Sequence, residues 1–269
     1  MRHALALALT LTLVAAPALA QDAWPVDAMN RVIDQTNFVV DGGCSGTLIS
    51  VPERLVLTNF HCVEKSISTI ERDQVGDDGV VRRVKMRRLA DLKVEQHSYV
   101  GFARVGTSSY VAEIVADSKA RDLAVLRIKG PIPHVYASPL LPEGSKITRG
   151  ERVYVVGNPA LEDATVVEGI VSNVNRTFEF PWTGGEKLAM VQFSGGIFGG
   201  NSGGALYNAA GELIGVPAAG YREATFIGFA VPIDVVKSVL RDNCLAQVFD
   251  EHADDARCRT DKSLKRERD

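Results

Sequence analysis

Ser202 lies in the run Gly199-Gly200-Asn201-Ser202-Gly203-Gly204-Ala205-Leu206. Glycine admits tight positive-φ turns in which main-chain N–H groups converge on one point. A serine hydroxyl at that point can attack a carbonyl, and the N–H groups can hold the oxyanion that forms. Gly200-Asn201-Ser202 is therefore the candidate oxyanion hole, with the Gly200 and Ser202 N–H groups as donors. A flexible linker can be as rich in glycine, but a linker does not sit between apolar strands or run on into Ala205-Leu206. Two further residue types complete the chemistry. His61 ends the stretch Leu55-Val56-Leu57-Thr58-Asn59-Phe60-His61, and histidine is the natural proton carrier near neutral pH. Asp122 heads the apolar run Leu123-Ala124-Val125-Leu126-Arg127-Ile128, where a carboxylate can be buried beside the imidazole, fix its tautomer and stabilise the imidazolium. Asp91 is a weaker rival, because the strand after it alternates with charge and reads as half exposed.

These residues need strands to carry them. Runs rich in Val, Ile and Tyr, bounded by Gly, Pro, Asp or Asn, predict strands at Phe38–Val40, Ser45–Val51, Arg54–Thr58, Val80–Leu89, Ser98–Arg104, Tyr110–Ala116 and Leu123–Ile128. A second set falls at Arg152–Val156, Thr165–Asn175, Ala189–Phe193, Glu212–Val216 and Thr225–Val231. Between the sets, Gly130–Gly150 carries Pro131, Pro133, Pro139 and Pro142; proline removes ladder donors, so this reads as a connector. Many short strands with turn signals favour barrels or sandwiches over a parallel sheet. A short helix is expected near Val26–Ile33. A longer one should close the chain after Pro232, with Ile233, Val236, Val239 and Leu240 recurring on one face.

The first twenty residues read as a signal peptide: Arg2 and His3, an apolar run from Ala4 to Ala16, and Ala18-Leu19-Ala20 as a cleavage site. The run is short for a membrane span, so no stable anchor is expected after its removal, and the product should be periplasmic or secreted. About 250 residues then remain, enough for a large core. Lys and Arg number 30 against 33 Asp and Glu, which argues against nucleic acid as a partner. The basic run Arg82-Arg83-Val84-Lys85-Met86-Arg87-Arg88 reads as a charged strand edge that discourages sheet association. The four cysteines, Cys44, Cys62, Cys244 and Cys258, allow three disulfide pairings. Zinc is the competing reading, weakened by the lack of a close Cys pair and the scatter of the histidines. No metal or organic cofactor is needed. The residues past Asp250 form a charged tail, 251–269.

Taken in order, Ser45-Gly46-Thr47-Leu48-Ile49-Ser50, Leu57-Thr58-Asn59-Phe60-His61, Asp122-Leu123-Ala124-Val125-Leu126, Gly200-Asn201-Ser202-Gly203-Gly204-Ala205-Leu206 and Gly228-Phe229-Ala230-Val231-Pro232 resemble the chymotrypsin-like serine peptidases, most nearly the bacterial HtrA/Deg-type proteases. The resemblance spans roughly Gly43 to Ile233. It implies an all-β fold, two six-stranded antiparallel β-barrels with a C-terminal helix and the site in the cleft between them. On that frame the protease domain is 21–250, with barrel one at about 36–130, the connector at 131–149, and barrel two with the closing helix at 150–250. It also implies His61, Asp122 and Ser202 as base, orienter and nucleophile of a serine endopeptidase acting on protein or peptide through an acyl-enzyme. Nearness and the resemblance together favour the pairs Cys44–Cys62 and Cys244–Cys258. The first is like the animal-type bridge beside the catalytic histidine, which many HtrA-like enzymes lack.

Departures narrow the expectation. Asn201 stands where the digestive enzymes carry aspartate, and no Ile-Val-Gly-Gly start is present, so activation by zymogen cleavage is not expected. The chain ends too soon for the PDZ domain usual in the HtrA family, and either a monomer or a small homo-oligomer fits. The stretch between His61 and Asp122 is long and contains an inserted hairpin around Val80–Leu89. Gly196 lies where trypsin-like specificity would require aspartate, so a Lys or Arg preference is not expected. Ile197 and Val216 are expected to line a pocket for a small or medium apolar side chain. Pro217 falls near the histidine of glutamate-selective relatives, which argues against glutamate. The rival reading is a protein-binding or chaperone-like module on the same scaffold, with latent or no activity. An esterase using the same acyl chemistry is a further rival.

Overall fold

The computed structural model describes residues 25–100, 103–133, 136–161, 164–180, 185–221, 223–250, 253 and 258. The expected signal peptide, and the charged tail apart from residues 253 and 258, lie outside the described residues. No helix among them is long and apolar enough to cross a membrane.

Two closed barrels organise the chain, each of six antiparallel strands. Barrel one comprises β1 (Asn37–Val40), β2 (Cys44–Ser50), β3 (Leu55–Thr58), β6 (Leu92–Val100), β7 (Ala103–Ser118) and β8 (Leu123–Ile128), with neighbours in the order β1-β2-β3-β8-β7-β6. Barrel two comprises β9 (Arg152–Gly157), β10 (Thr165–Glu179), β11 (Lys187–Ser194), β12 (Ala205–Asn208), β13 (Leu213–Gly220) and β14 (Ile227–Pro232), in the order β10-β11-β14-β13-β12-β9. Helix α1 (Val26–Thr36) precedes barrel one, a single-turn helix α2 (Phe60–Val63) follows β3, and α3 (Ile233–Asp242) closes the chain. The all-β, two-barrel expectation matches this architecture.

Several elements differ from the sequence reading. The strand expected at Ser98–Arg104 is divided between β6, which ends at Val100, and β7, which begins at Ala103, because β-rich residues continue on both sides. The strand β4 (Ile67–Val75), too polar to be read as one, pairs along its whole length with β5 (Val81–Leu89). That pair forms a separate two-stranded sheet, almost wholly exposed. The basic run lies in it, and Arg82, Arg83 and Arg87 pair with Asp78, Asp73 and Asp117.

Barrel one packs two ways at once. In β3 and β8 successive side chains point to opposite faces. Val56, Ala124, Leu126 and Ile128 fill the interior of barrel one with Phe38, Leu48 and Val94. The alternate residues Leu55, Leu57, Leu123 and Val125 join the larger cluster of barrel two and α3. Strands buried on both faces read as unbroken apolar runs, which is why these two stand out in the sequence. Helix α3 buries Ile233, Val236, Val239 and Leu240, as its periodicity requires, and Lys237 with them. The Lys237 ammonium donates to the Leu141 carbonyl of the connector and lies 5.6 Å from the ring centre of Phe249.

Candidate active site

Register brings the histidine and the aspartate together. β3 and β8 pair antiparallel with Thr58 opposite Ala124 and Leu57 opposite Val125, so the end of β3 and the start of β8 share one barrel rim. Three residues on, in α2, is His61; one residue before β8 is Asp122. Asp122 has no exposed surface. Its Oδ1 accepts the His61 backbone N–H at 3.0 Å, and His61 Nδ1 lies 3.0 Å from Oδ1 and 2.9 Å from Oδ2. A carboxylate acceptor on Nδ1 fixes the tautomer with the proton there and leaves Nε2 to exchange a proton with substrate.

The Asp122 backbone has φ 51°, a left-handed conformation that aspartate tolerates better than most residues. Its N–H donates to Lys119 O at 3.2 Å, and its carbonyl accepts Asn59 Nδ2 at 2.8 Å. Lys119 also reaches Glu64, just beyond α2, at 2.8 Å. Asp91 is elsewhere, in a surface pair with Lys129 at 2.7 Å.

The Ser202 turn is held mainly by backbone. β12 pairs with β9, with Ala205 opposite Val156, so the turn meets the end of β9 at Gly157 and Asn158. Gly200 has φ +105° and Gly203 φ +82°. A Cβ on Gly200 would stand 2.2 Å from the Asn158 carbonyl oxygen, and one on Gly203 would stand 2.2 Å from both Ser45 O and Thr58 Oγ1. Only glycine fits either position. Gly204 N–H donates to Asn201 O, Gly203 N–H to Pro217 O, and Asn201 N–H to Phe198 O, all at 3.0–3.1 Å. The Asn201 N–H is thus engaged inside the turn. Among the described residues, neither Gly200 nor Ser202 gives its N–H to another backbone carbonyl. The Asn201 side-chain nitrogen Nδ2 is buried and without a hydrogen-bond partner.

Barrel one touches this turn directly. Ser45 N–H donates to Ser202 O at 2.8 Å, and Cys62 Sγ lies 3.9 Å from the same oxygen. Cys62 follows His61 in the chain and is bridged to Cys44; the second bridge joins Cys244 and Cys258. The Cys44 and Cys62 sulfurs and a His61 ring nitrogen lie within 4.8 Å of one another, a spacing that suits a metal. The disulfide consumes both thiolates, so this set does not offer zinc its usual sulfur ligands.

A cavity of about 360 Å³ opens beside Ser202. Of the four residues named from the sequence for a pocket, Ile197 lines this cavity, and Gly196, Val216 and Pro217 do not. Its other walls include Phe198, Ala218, Ala219, Tyr221 and Thr225. β13 bulges at this wall: Pro217 pairs with Ala230 and Ala219 with Phe229, leaving Ala218 as an extra residue. A bulge re-aims the side chains that follow it. Val216 instead packs in the core, and Pro217 offers its carbonyl to Gly203. No tally of residue types reveals such an insertion; the signal available was the small-residue run Ala218-Ala219-Gly220.

With this geometry in view, the relatives are informative. The family model of the trypsin-like peptidase domain matches residues 44–216, well over half the chain. The chain belongs to the trypsin-like peptidase family. It is 35% identical over 134 residues to the serine protease Do-like HtrB of Bacillus subtilis, covering 48% of this chain and 29% of that one. It is 30% identical over 136 residues to the chloroplastic protease Do-like 1 of Arabidopsis thaliana, covering 49% and 31%. The match thus spans about three-tenths of the length of these relatives. Among solved structures, the HtrA-type protease AlgW bound to a tripeptide superposes with a TM-score of 0.57 at 25% identity, over 80% of this chain and 61% of that one. The AlgW structure with a decapeptide gives 0.54 at 26% identity, over 75% and 51%.

Proposed function

We propose that the chain is an exported serine endopeptidase of HtrA type. Ser202 attacks the scissile carbonyl as His61 takes its proton. Asp122 holds His61 in the correct tautomer and stabilises the imidazolium. The Gly200 and Ser202 N–H groups receive the oxyanion, and water then releases the acyl-enzyme with His61 again as base. The observation that carries this reading is the fully buried Asp122 carboxylate on His61 Nδ1 at 2.9 Å, at the rim that meets the Ser202 turn. Bound peptides in the AlgW structures agree with a peptide substrate. Export rests on the N-terminal sequence pattern alone.

The cavity beside Ser202 supports a small or medium apolar residue on the acyl side of the cleaved bond. Among the described residues its lining holds no carboxylate and no cation. A peptide library varied at that position is expected to favour Ala, Val or Leu over Arg and Glu. Preferred cleavage after Arg or Glu would overturn the assignment.

Ser202→Ala tests the mechanism. The variant is expected to stay folded, lose nearly all casein hydrolysis and no longer react with a fluorophosphonate probe. Undiminished hydrolysis would refute the nucleophile. A wild-type protein that binds peptides yet never labels would favour the binding-module reading.

A further inference from the structure

Gly200 raises a question that its glycine neighbours do not answer. Its φ of +105° requires glycine, but a residue that reaches this conformation so easily also leaves it easily. If the peptides around it turn over, a carbonyl replaces an N–H where the oxyanion must sit. Something outside the turn has to hold it.

We propose that Ser45, in β2 of barrel one, is a positioning residue that locks the oxyanion turn of barrel two. Ser45 is wholly buried. Its Oγ lies 2.7 Å from Gly200 O, 2.8 Å from the Asn158 backbone N and 3.1 Å from Asn158 Nδ2. A hydroxyl has one proton to give and two lone pairs to offer. Both Asn158 groups are donors, so they occupy the lone pairs. The proton then has one destination, the Gly200 carbonyl. Asn158 is itself anchored, its Nδ2 reaching Phe38 O at 3.0 Å and its Oδ1 accepting Asn37 Nδ2 at 2.8 Å.

The same residue acts twice. The Ser45 N–H holds the Ser202 carbonyl at 2.8 Å, so one residue fixes the carbonyls on both sides of Asn201. The preceding peptide is tied separately, by the Ala160 N–H on Gly199 O at 2.6 Å. Between these ties neither peptide flanking Gly200 can turn over without breaking a hydrogen bond, and the one to Ser45 is buried. The Cys44–Cys62 bridge links the neighbours of Ser45 and His61, so the lock is also tied to the base.

This inference rests on the protease reading, and the experiment separates the two. Wild type and Ser45→Ala are labelled with a fluorophosphonate, then assayed on a peptide substrate and with a peptide boronate that forms a tetrahedral adduct. Failure of the wild type to label sinks the protease reading itself. With labelling intact, Ser45→Ala is expected to lose 10- to 100-fold in kcat with KM within about two-fold, and to lose boronate affinity by a matching factor. Ser45→Thr, which keeps the hydroxyl, is expected to recover most of both. Unchanged kcat in a folded Ser45→Ala overturns the proposal. So does a fall in kcat without the matching fall in boronate affinity, because general structural damage would not track the transition state. Should Ser45→Ala not fold, Ser45→Cys carries the same comparison with a weaker donor, and equal boronate affinity there overturns the proposal too.

Discussion

Around His61 the polar groups are held by side chains; around Ser202 they are held mainly by backbone, with the Ser45 hydroxyl the side-chain exception. On the first side a buried carboxylate receives a ring nitrogen and a main-chain N–H, and Asn59 Nδ2 donates to the backbone carbonyl of the same aspartate. On the second side Gly200, Gly203 and Gly204 press against the carbonyls of Asn158, Ser45 and Val156, where no side chain fits. The contrast teaches that the two halves fail differently. On the proposed mechanism, removing a side chain from the His61 corner is expected to take away chemistry and leave the fold, whereas adding one to the Ser202 corner is expected to take away both.

The sharpest way to break this contrast is Asp122→Asn. Asparagine accepts the left-handed backbone and can still receive the His61 N–H, so the protein should melt close to wild type. The ring, however, meets an amide in the wrong tautomer, and kcat should fall by about 10⁴-fold. A large loss of stability in denaturant titration would show the base corner to be structural after all. Gly203→Ala is the opposite probe. Strain at φ +82° and overlap with Ser45 O and Thr58 Oγ1 should cost at least ~3 kcal/mol of stability, with activity lost in parallel. A folded variant of normal stability would contradict the packing at the turn.

The Cys44–Cys62 bridge spans the two corners. Replacing both residues by serine opens a link between positions 18 apart and should cost about 3 kcal/mol on the chain-entropy model, read from denaturant midpoints. Tyr207, in the strand that follows the nucleophile turn, tests barrel two by pH. It is buried and bonded to Ser138 Oγ at 2.5 Å and Thr36 Oγ1 at 3.2 Å. Burial pushes its phenol up to about 12. The unfolded chain therefore loses this proton first. The stability Tyr207 contributes is whole below about pH 10 and falls by about 2–3 kcal/mol as pH rises toward 12. Tyr207→Phe should flatten that part of the stability–pH curve; an unchanged slope would assign it to other groups. The smallest effect is expected at Lys119, whose pair with Glu64 clamps the base corner from outside. Both side chains are about half exposed, so Lys119→Ala should cost under ~0.5 kcal/mol and change kcat less than two-fold. A ten-fold loss in kcat would make the clamp part of the machinery.

Legibility in the sequence followed the same division. Ser202 announced itself through its glycines, and His61 and Asp122 through apolar strands that end or begin beside them. β4 was hidden because an exposed hairpin needs no apolar alternation. Lys237 sits on the buried face of α3, and no pattern marks a lysine whose charge ends on a connector carbonyl. The cavity beside Ser202 takes its wall from Ala218 and Ala219 where the sequence pointed to Val216 and Pro217: Val216 packs in the core, and the extra residue Ala218 is a property of strand pairing that no local pattern carries.

By itself, the order of residues determined which groups can react and which stretches must be strands, since hydrophobic period and glycine demand are local properties. Only the tertiary structure decided what lies opposite what. The pairing of β3 with β8 set the imidazole on its carboxylate, and the meeting of the barrels laid the Ser45 hydroxyl on the Gly200 carbonyl. Contacts between residues 155 positions apart depend on closure of the whole chain, and nothing local encodes them.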